Sequence, residues 1–244
     1  VMHISLKGKR AVYKSELMML EMLSQANWER PLYVATTVGE ANYGHLGSNF
    51  VLEGLAFRIT PFNTKNTGKT IDTERMYDNL MNKFKFGGVS ENPNIYLDET
   101  VTRMCYTHRR MFALLAKQLL REGKFEKALN VVKRIEEVIP SSVVPHNYMG
   151  GSVDLAEVLL RLGSTEEGEA ILNAVGNNVM EYLDWYLSLS TSRLLQSQRE
   201  YIRNIYILNE VAKTLAISDE EKSFACQELL GKYIEMGMQR GVNM

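Results

Sequence analysis

The sequence predicts a mainly α protein: a tetratricopeptide-like α-solenoid of helical hairpins preceded by a small α+β subdomain. Three observations predict it. From residue 98 onward, segment after segment carries apolar residues at i, i+3, i+4 and i+7, the 3.6-residue period of an amphipathic helix. Within that region a pattern of bulky, small and turn-forming residues recurs. Before it, two short runs of β-branched and aromatic residues interrupt the helical pattern. The division is 1–97 for the α+β subdomain, with two short strands, and 98–244 for the tetratricopeptide-like hairpins.

In order along the chain, residues 15–26 read as a helix with Met19, Met22, Leu23 and Ala26 on one face, ended by Pro31. Residues 31–38 read as a first strand, and Leu55 to Ile59, closed by Pro61, as a second. Asp72 is placed to cap the next helix, whose stripe is Tyr77, Leu80, Met81 and Phe84 and whose stop is Gly87-Gly88. Asp98 caps a long helix to Glu122, with Val101, Met104, Cys105, His108, Phe112, Leu115, Ala116 and Leu119 as its stripe.

Residues 109–140 hold the repeat spacing in full: Phe112, Leu115, Ala116, Leu119, Gly123, Phe125, Ala128, Val132 and Pro140. Ala116 and Ala128 let two antiparallel helices approach closely, and large neighbours fill the remaining space. Residues 149–180 are a weaker copy through Leu155, Ala156, Leu159, Gly163 and Gly168. The turn glycines Gly123 and Gly163 are 40 residues apart, more than a 34-residue repeat requires. Three further helical segments follow, near 181–196, 199–216 and 219–237. Ser164 with Glu167, and Ser218 with Glu221, read as capping boxes.

Composition narrows function by exclusion. The 244 residues, 45% hydrophobic and 23% charged, are ordinary for a folded chain that buries a core. A net charge of −1 lacks the basic excess that nucleic-acid phosphates demand. No apolar run is long enough to span a bilayer, and the first residues carry no signal-peptide pattern. A chain opening on Val1 reads as an excised piece of a longer protein. Cys105 and Cys226 cannot build a disulfide framework; both read as buried thiols, with a single bridge between them left open.

No catalytic constellation emerges, so the chain reads as no enzyme, with no cofactor and no metal. Thr67-Gly68-Lys69-Thr70 matches the tail of a phosphate-binding loop but has Asn63 where the motif needs its first glycine. An independent enzyme or nucleotide-binding protein using Gly68, Lys69 and Thr70 is the alternative reading. His3, His45, His108 and His146 lack metal-site spacing, and His108, on an apolar stripe, reads as a hydrogen-bonded core residue. The binding candidates are Arg109, Arg110, Lys117 and Arg121, a basic stripe on the first repeat helix suited to an acidic peptide, and Tyr43 and His45 in a glycine-rich loop. Tyr182, Trp185 and Leu189 read as core by their helical spacing. Tyr186 lies on the same helix as Tyr182 and Trp185, with Tyr201 and Tyr206 nearby in sequence, and any of these aromatics that stay exposed would suit the groove that repeat proteins use for ligands.

Asn27-Trp28-Glu29-Arg30-Pro31, the run Leu52-Glu53-Gly54-Leu55-Ala56-Phe57-Arg58-Ile59-Thr60-Pro61, Met76 to Phe84 and Tyr96-Leu97-Asp98-Glu99 stand in order before the repeat-like tail. Together they resemble the C-terminal soluble region of a bacterial family of multi-pass membrane proteins of unknown function. The membrane part of that family resembles GT-C glycosyltransferases of the protein O-mannosyltransferase type. The resemblance implies a domain on the periplasmic side of the inner membrane, tethered to the transmembrane portion of the same polypeptide, where any sugar transfer would reside. It assigns no role to Trp28, Arg30, Glu53 or Arg58. From the residues themselves, Glu53 and Arg58 are expected to form a polar brace and Trp28 to anchor the helix-to-strand turn. The expected function is therefore that of a non-catalytic interaction or scaffold domain for a protein or peptide partner.

Overall fold

The computed structural model describes Met2, Ile4, Lys7, residues 10–39 and residues 42–243, without the side chains at positions 44, 45 and 65. His3 and the ring of His45 lie outside the described residues. The fold is mainly helical, with a small antiparallel sheet near the N-terminus, and it divides into two compact units, 1–85 and 86–244. The sequence boundary at 97/98 falls at the start of a helix. Residues 86–98 group with the second unit, where the Phe86 ring packs 5.8 Å from that of Phe112.

In the first unit, α1 (Lys14–Ala26) is followed by β1 (Tyr33–Ala35), β2 (Phe50–Leu52) and β3 (Ala56–Ile59), in the sheet order β1-β3-β2. The middle strand pairs Val34 with Phe57 on one side and Val51 with Arg58 on the other. Sequence reading finds β1 and β3 and misses β2, whose Phe-Val-Leu is too short to show a two-residue period and is buried on both faces. Leu23, Leu46, Phe50 and Ile59 form the core, with Met19, Val34 and Phe57 against it. Met22, expected in the stripe of α1, is exposed, while Glu16 is buried and accepts the Tyr13 N–H at 3.0 Å. Trp28, expected to anchor the helix-to-strand turn, is not in the core of the unit. It is 43% exposed, and it follows Asn27 in a second consecutive left-handed conformation, φ +64° after +43°. A short helix, α2 (Thr64–Thr67), precedes α3 (Thr73–Asp78), which runs on through one wide π turn at Asn79–Lys83. Asp72 caps α3 by accepting from Arg75 N–H, as expected.

The second unit is all helix: α4 (Glu99–Arg121), α5 (Phe125–Val138), α6 (Ser152–Arg161), α7 (Thr165–Ser188), α8 (Thr191–Gln196), α9 (Gln198–Leu215) and α10 (Glu220–Gln239). Tight turns at Gly123 and Gly163, both with positive φ, fold α4 onto α5 and α6 onto α7. Successive hairpins then pack side by side, α4 on α6, α7 on α9 and α9 on α10, which is consistent with a solenoid. The contact positions are small, as predicted. Ala116, Ala128 and Ala156 are fully buried, and a Cβ on Gly168 would stand 2.7 Å from Leu160 Cδ2. Asp98 caps α4 through Val101 N–H. Val101 and Met104 are nonetheless exposed, so the buried stripe of α4 begins at Cys105.

Residues 165–188 are one helix, not the end of a repeat followed by a separate segment. Nothing in the sequence breaks it, and Gly176 within it is buried against Val211. Ser164 and Ser218 make no side-chain caps. The Ser218 hydroxyl donates to Glu169 Oε1 at 3.0 Å, and Asp219, one residue later, caps α10 through Lys222 N–H. Both cysteines are free thiols. No helix among the described residues is long and apolar enough to cross a membrane.

Candidate functional site

Arg109 does not belong to an exposed basic stripe. Its side chain is 1% exposed, because position 109 follows Cys105 by four and precedes Phe112 by three, in register with the buried face of α4. Among the described residues no carboxylate comes within ion-pair distance of it. Nη2 donates to the carbonyls of Ile139 (2.9 Å) and Val144 (2.7 Å), and Nη1 to that of Pro145 (3.0 Å). Ile139 ends α5, so the cation also meets the negative end of that helix. This fork holds the long connection between the two hairpins. Burial pulls the arginine pKa below its usual value, with Glu136 working the other way.

Beside it, His146 is neutral: desolvation first, then the Arg109 charge, push it down to about 4. Its Nδ1 lies 3.2 Å from Ser152 Oγ, which also accepts the Asn147 N–H at 3.1 Å. The Ser152 hydroxyl thus joins the imidazole to the backbone at the start of α6. Arg109, His146 and Ser152 are therefore a structural network.

The remaining candidates separate. Lys117 bridges to Asp154 (2.6 Å) and Glu157 (2.8 Å) on α6; desolvation would lower its pKa, but the two hydrogen bonds raise it. It ties α4 to α6 and has little charge left to offer. Arg110 and Arg121 are exposed and have no ion pair or hydrogen bond among the described residues. At i and i+11 they share one face of α4, about 16 Å apart along the axis. Tyr43 packs its ring 4.8 Å from Phe50, at the edge of the first unit's core.

Around Arg110 the structure gathers residues that sequence reading placed elsewhere or missed. A cleft of about 140 Å³ is lined by Arg110, Tyr148, Met149, Val153, Asp154 and Glu210. The ring of Tyr148 meets that of Tyr206 edge-on at 6.1 Å, and burial together with hydrogen bonding to Tyr206 raises the Tyr148 phenol to about 12. Arg203 contacts the Met149 sulfur. Tyr182 and Trp185, expected in the core, are 50% and 53% exposed. The buried stripe of α7 runs through Leu172, Val175, Val179 and Leu183, so steps of three and four miss positions 182 and 185. Leu189 is half-buried. The signal for this correction was the phase of the stripe; for Tyr148 and Met149 it was their place in the overlong connection.

The Gly68-Lys69-Thr70 loop is built differently from a phosphate cradle. The Thr70 carbonyl accepts Leu52 N–H at 2.9 Å, and Asp72 donates back to Leu52 O at 3.0 Å, extending the edge of β2. The Asp72 carboxylate occupies the N-terminus of α3, where an anion would have to sit. Among the described residues no group of His, Cys, Asp and Glu could hold a metal ion.

Glu53 gathers several polar partners in the first unit. Buried at the β2–β3 turn, it accepts from Arg58 Nε (2.5 Å) and Tyr33 OH (3.0 Å), with Arg75 Nη1 at 3.5 Å, while its carbonyl accepts from Asn79 (2.7 Å). The expected Glu53–Arg58 brace exists and reaches α3.

Residues 1–78 match the family model described as TMEM260-associated domain 2. The match covers most of the first compact unit, takes in the Glu53 brace, and ends on the last residue of α3. No curated protein and no solved structure matches the chain.

Proposed function

We propose that the chain is a non-catalytic interaction domain that binds a protein or peptide partner on the α4–α6–α9 face of its second unit. The observation that carries this is the state of Arg110 and Arg121. They are cations without an ion pair or hydrogen bond among the described residues, near the paired groups Lys117–Asp154–Glu157 and Lys213–Glu210, with Tyr206 exposed on α9 beside the Arg110 cleft. Tyr and Arg are the side chains that anchor interfaces best, and two arginines one face apart suit carboxylates about three helical turns apart on the partner. Hairpins closed at small residues, with the overlong connection braced by Arg109, support a tetratricopeptide-like array as the frame.

The match of the first unit supports a place in a TMEM260-like membrane protein. In this reading the chain lies on the periplasmic side of the inner membrane, and the transmembrane portion of the same polypeptide carries any sugar transfer. An upstream reading frame encoding several membrane spans is the expected finding.

The test is an array of 12-residue peptides probed with the whole chain. Binders rich in Asp and Glu with a neighbouring apolar residue are expected, and Arg110→Glu with Arg121→Glu should weaken them at least tenfold. Binding that ignores the double substitution, or an array without acidic binders, overturns the assignment.

A further inference from the structure

Away from that face, α5 and α7 stand apart. The hairpins pack chiefly through α4 and α6, and the long connection held by Arg109 enters between them. The result is a slot of about 580 Å³, within the range of about 300–1,000 Å³ typical of ligand sites. Its floor is apolar: Val132, Ile135, Leu155, Leu159, Ala170 and Ile171. Its rim carries three carboxylates, Glu136 and Glu137 on α5 and Glu167 on α7, against a single ammonium, Lys133.

We propose that this slot is a second binding site, taking a bulky apolar side chain of a partner polypeptide that is flanked on both sides by lysine or arginine. The charge arrangement chooses the occupant. The carboxylates stand on both banks of the apolar floor, so one cation cannot satisfy them, whereas a basic–apolar–basic segment places a cation on each. Glu137 is ion-paired with Arg134, but Glu136 accepts only from the neutral N–H and hydroxyl of Ser141, and Glu167 makes no bond among the described residues, so each bank keeps a carboxylate that no cation pairs. His146, also lining the slot, is neutral above about pH 5 and adds no opposing charge. Ala170 is exposed and small, and it leaves the slot open at the α7 side. The Arg110 face and this slot thus select opposite charges, so one chain can hold two segments of different character.

The experiment is selection of a random 12-residue peptide library displayed on phage against the whole chain, followed by fluorescence anisotropy with the enriched peptides. Enrichment of Phe or Leu between Lys or Arg is expected. Ala170→Trp, which fills the slot from a solvent-facing position, should weaken these peptides at least tenfold, and Glu167→Lys at least threefold. Arg110→Glu should leave their affinity unchanged, which separates this site from the first. Circular dichroism checks the fold of each variant, and Glu167→Lys together with Glu137→Lys, both on the surface, replaces Ala170→Trp if tryptophan disturbs it. No enrichment, enrichment of acidic peptides, or basic–apolar peptides indifferent to both sets of substitutions overturns the proposal. Selection of a segment of this chain itself, bound with the same sensitivity, would identify the partner as a second copy.

Discussion

A buried guanidinium that meets only main-chain carbonyls turns one side chain into the hub of a loop. Arg109 serves the carbonyls of Ile139, Val144 and Pro145 at once, and those of Ile139 and Val144 would otherwise be buried acceptors without a donor, costing about 1–3 kcal/mol each. Arg109→Met keeps the bulk and removes the donors, so it should destabilise the chain by roughly 3–5 kcal/mol, read as a lowered denaturant midpoint. Arg109→Lys, with a point charge in place of a fork, should fall between the two. His146 gives a pH signature of definite sign. Its folded pKa, about 4, lies below the 6.5 of an unfolded histidine. The unfolded chain therefore binds the extra proton between those values, and stability is lost as pH falls from 6.5 towards 4. From pH 7.5 to 5 the loss attributable to His146, reduced for its residual solvent contact, is about 1–2 kcal/mol. Comparing urea unfolding of the wild type with His146→Gln at both pH values should show that difference vanish in the variant. Residue roles were only half legible. Arg109 and Arg110 look alike in sequence, yet their side chains point about 100° apart around α4. Counting from Cys105 and Phe112 would have told them apart, but including His108 in the stripe shifted it by one position.

At the scale of elements, close approach decides what is tolerated. Ala128 on α5 is fully buried, and Ala128→Leu should overpack the first hairpin at a cost of about 1–3 kcal/mol. Gly168→Ala is the sharper test. Helix propensity alone favours alanine by about 1 kcal/mol, but the new methyl would meet Leu160 Cδ2 at 2.7 Å and Ala156 O at 3.2 Å. Net destabilisation is expected, and a raised melting temperature would show that α6 and α7 can part without loss. Helix starts were readable where an aspartate stands, at Asp72 and Asp98, because its carboxylate reaches the free N–H groups unaided. They were misread at Ser164 and Ser218, since a serine followed by a glutamate is as easily diverted to a neighbouring acceptor. Strand β2 was illegible for a simpler reason: three apolar residues carry no period.

For the molecule as a whole, the irregular stretch that precedes the helices of the second unit has a direct consequence for proteolysis. Residues 89–97 have no helix or strand, and Tyr96 is 89% exposed. Brief chymotrypsin treatment should therefore cut first at Tyr96, giving two fragments that mass spectrometry would place on either side of it; early cleavage within α4–α10 would contradict the compactness of the second unit. The mainly helical class, the position of the sheet and the paired helices were all written in periodicity and punctuation. The binding faces were not, because they depend on which side chains stay solvent-exposed once neighbouring hairpins are in place. Tyr182 and Trp185 have the spacing of core residues and lie on the surface only because the next helix packs along a different stripe of α7.

The guanidinium that spans the junction also joins the two hairpins as a mechanical unit. A residue of α4 grips the strand of chain that leads into α6, so the first hairpin cannot fray without releasing the entry to the second. Amide hydrogens of residues 139–151, although they belong to irregular chain, should then exchange with deuterium as slowly as those of the helices on either side, and breathing of this stretch should appear as one concerted event, with no independent loosening of a linker.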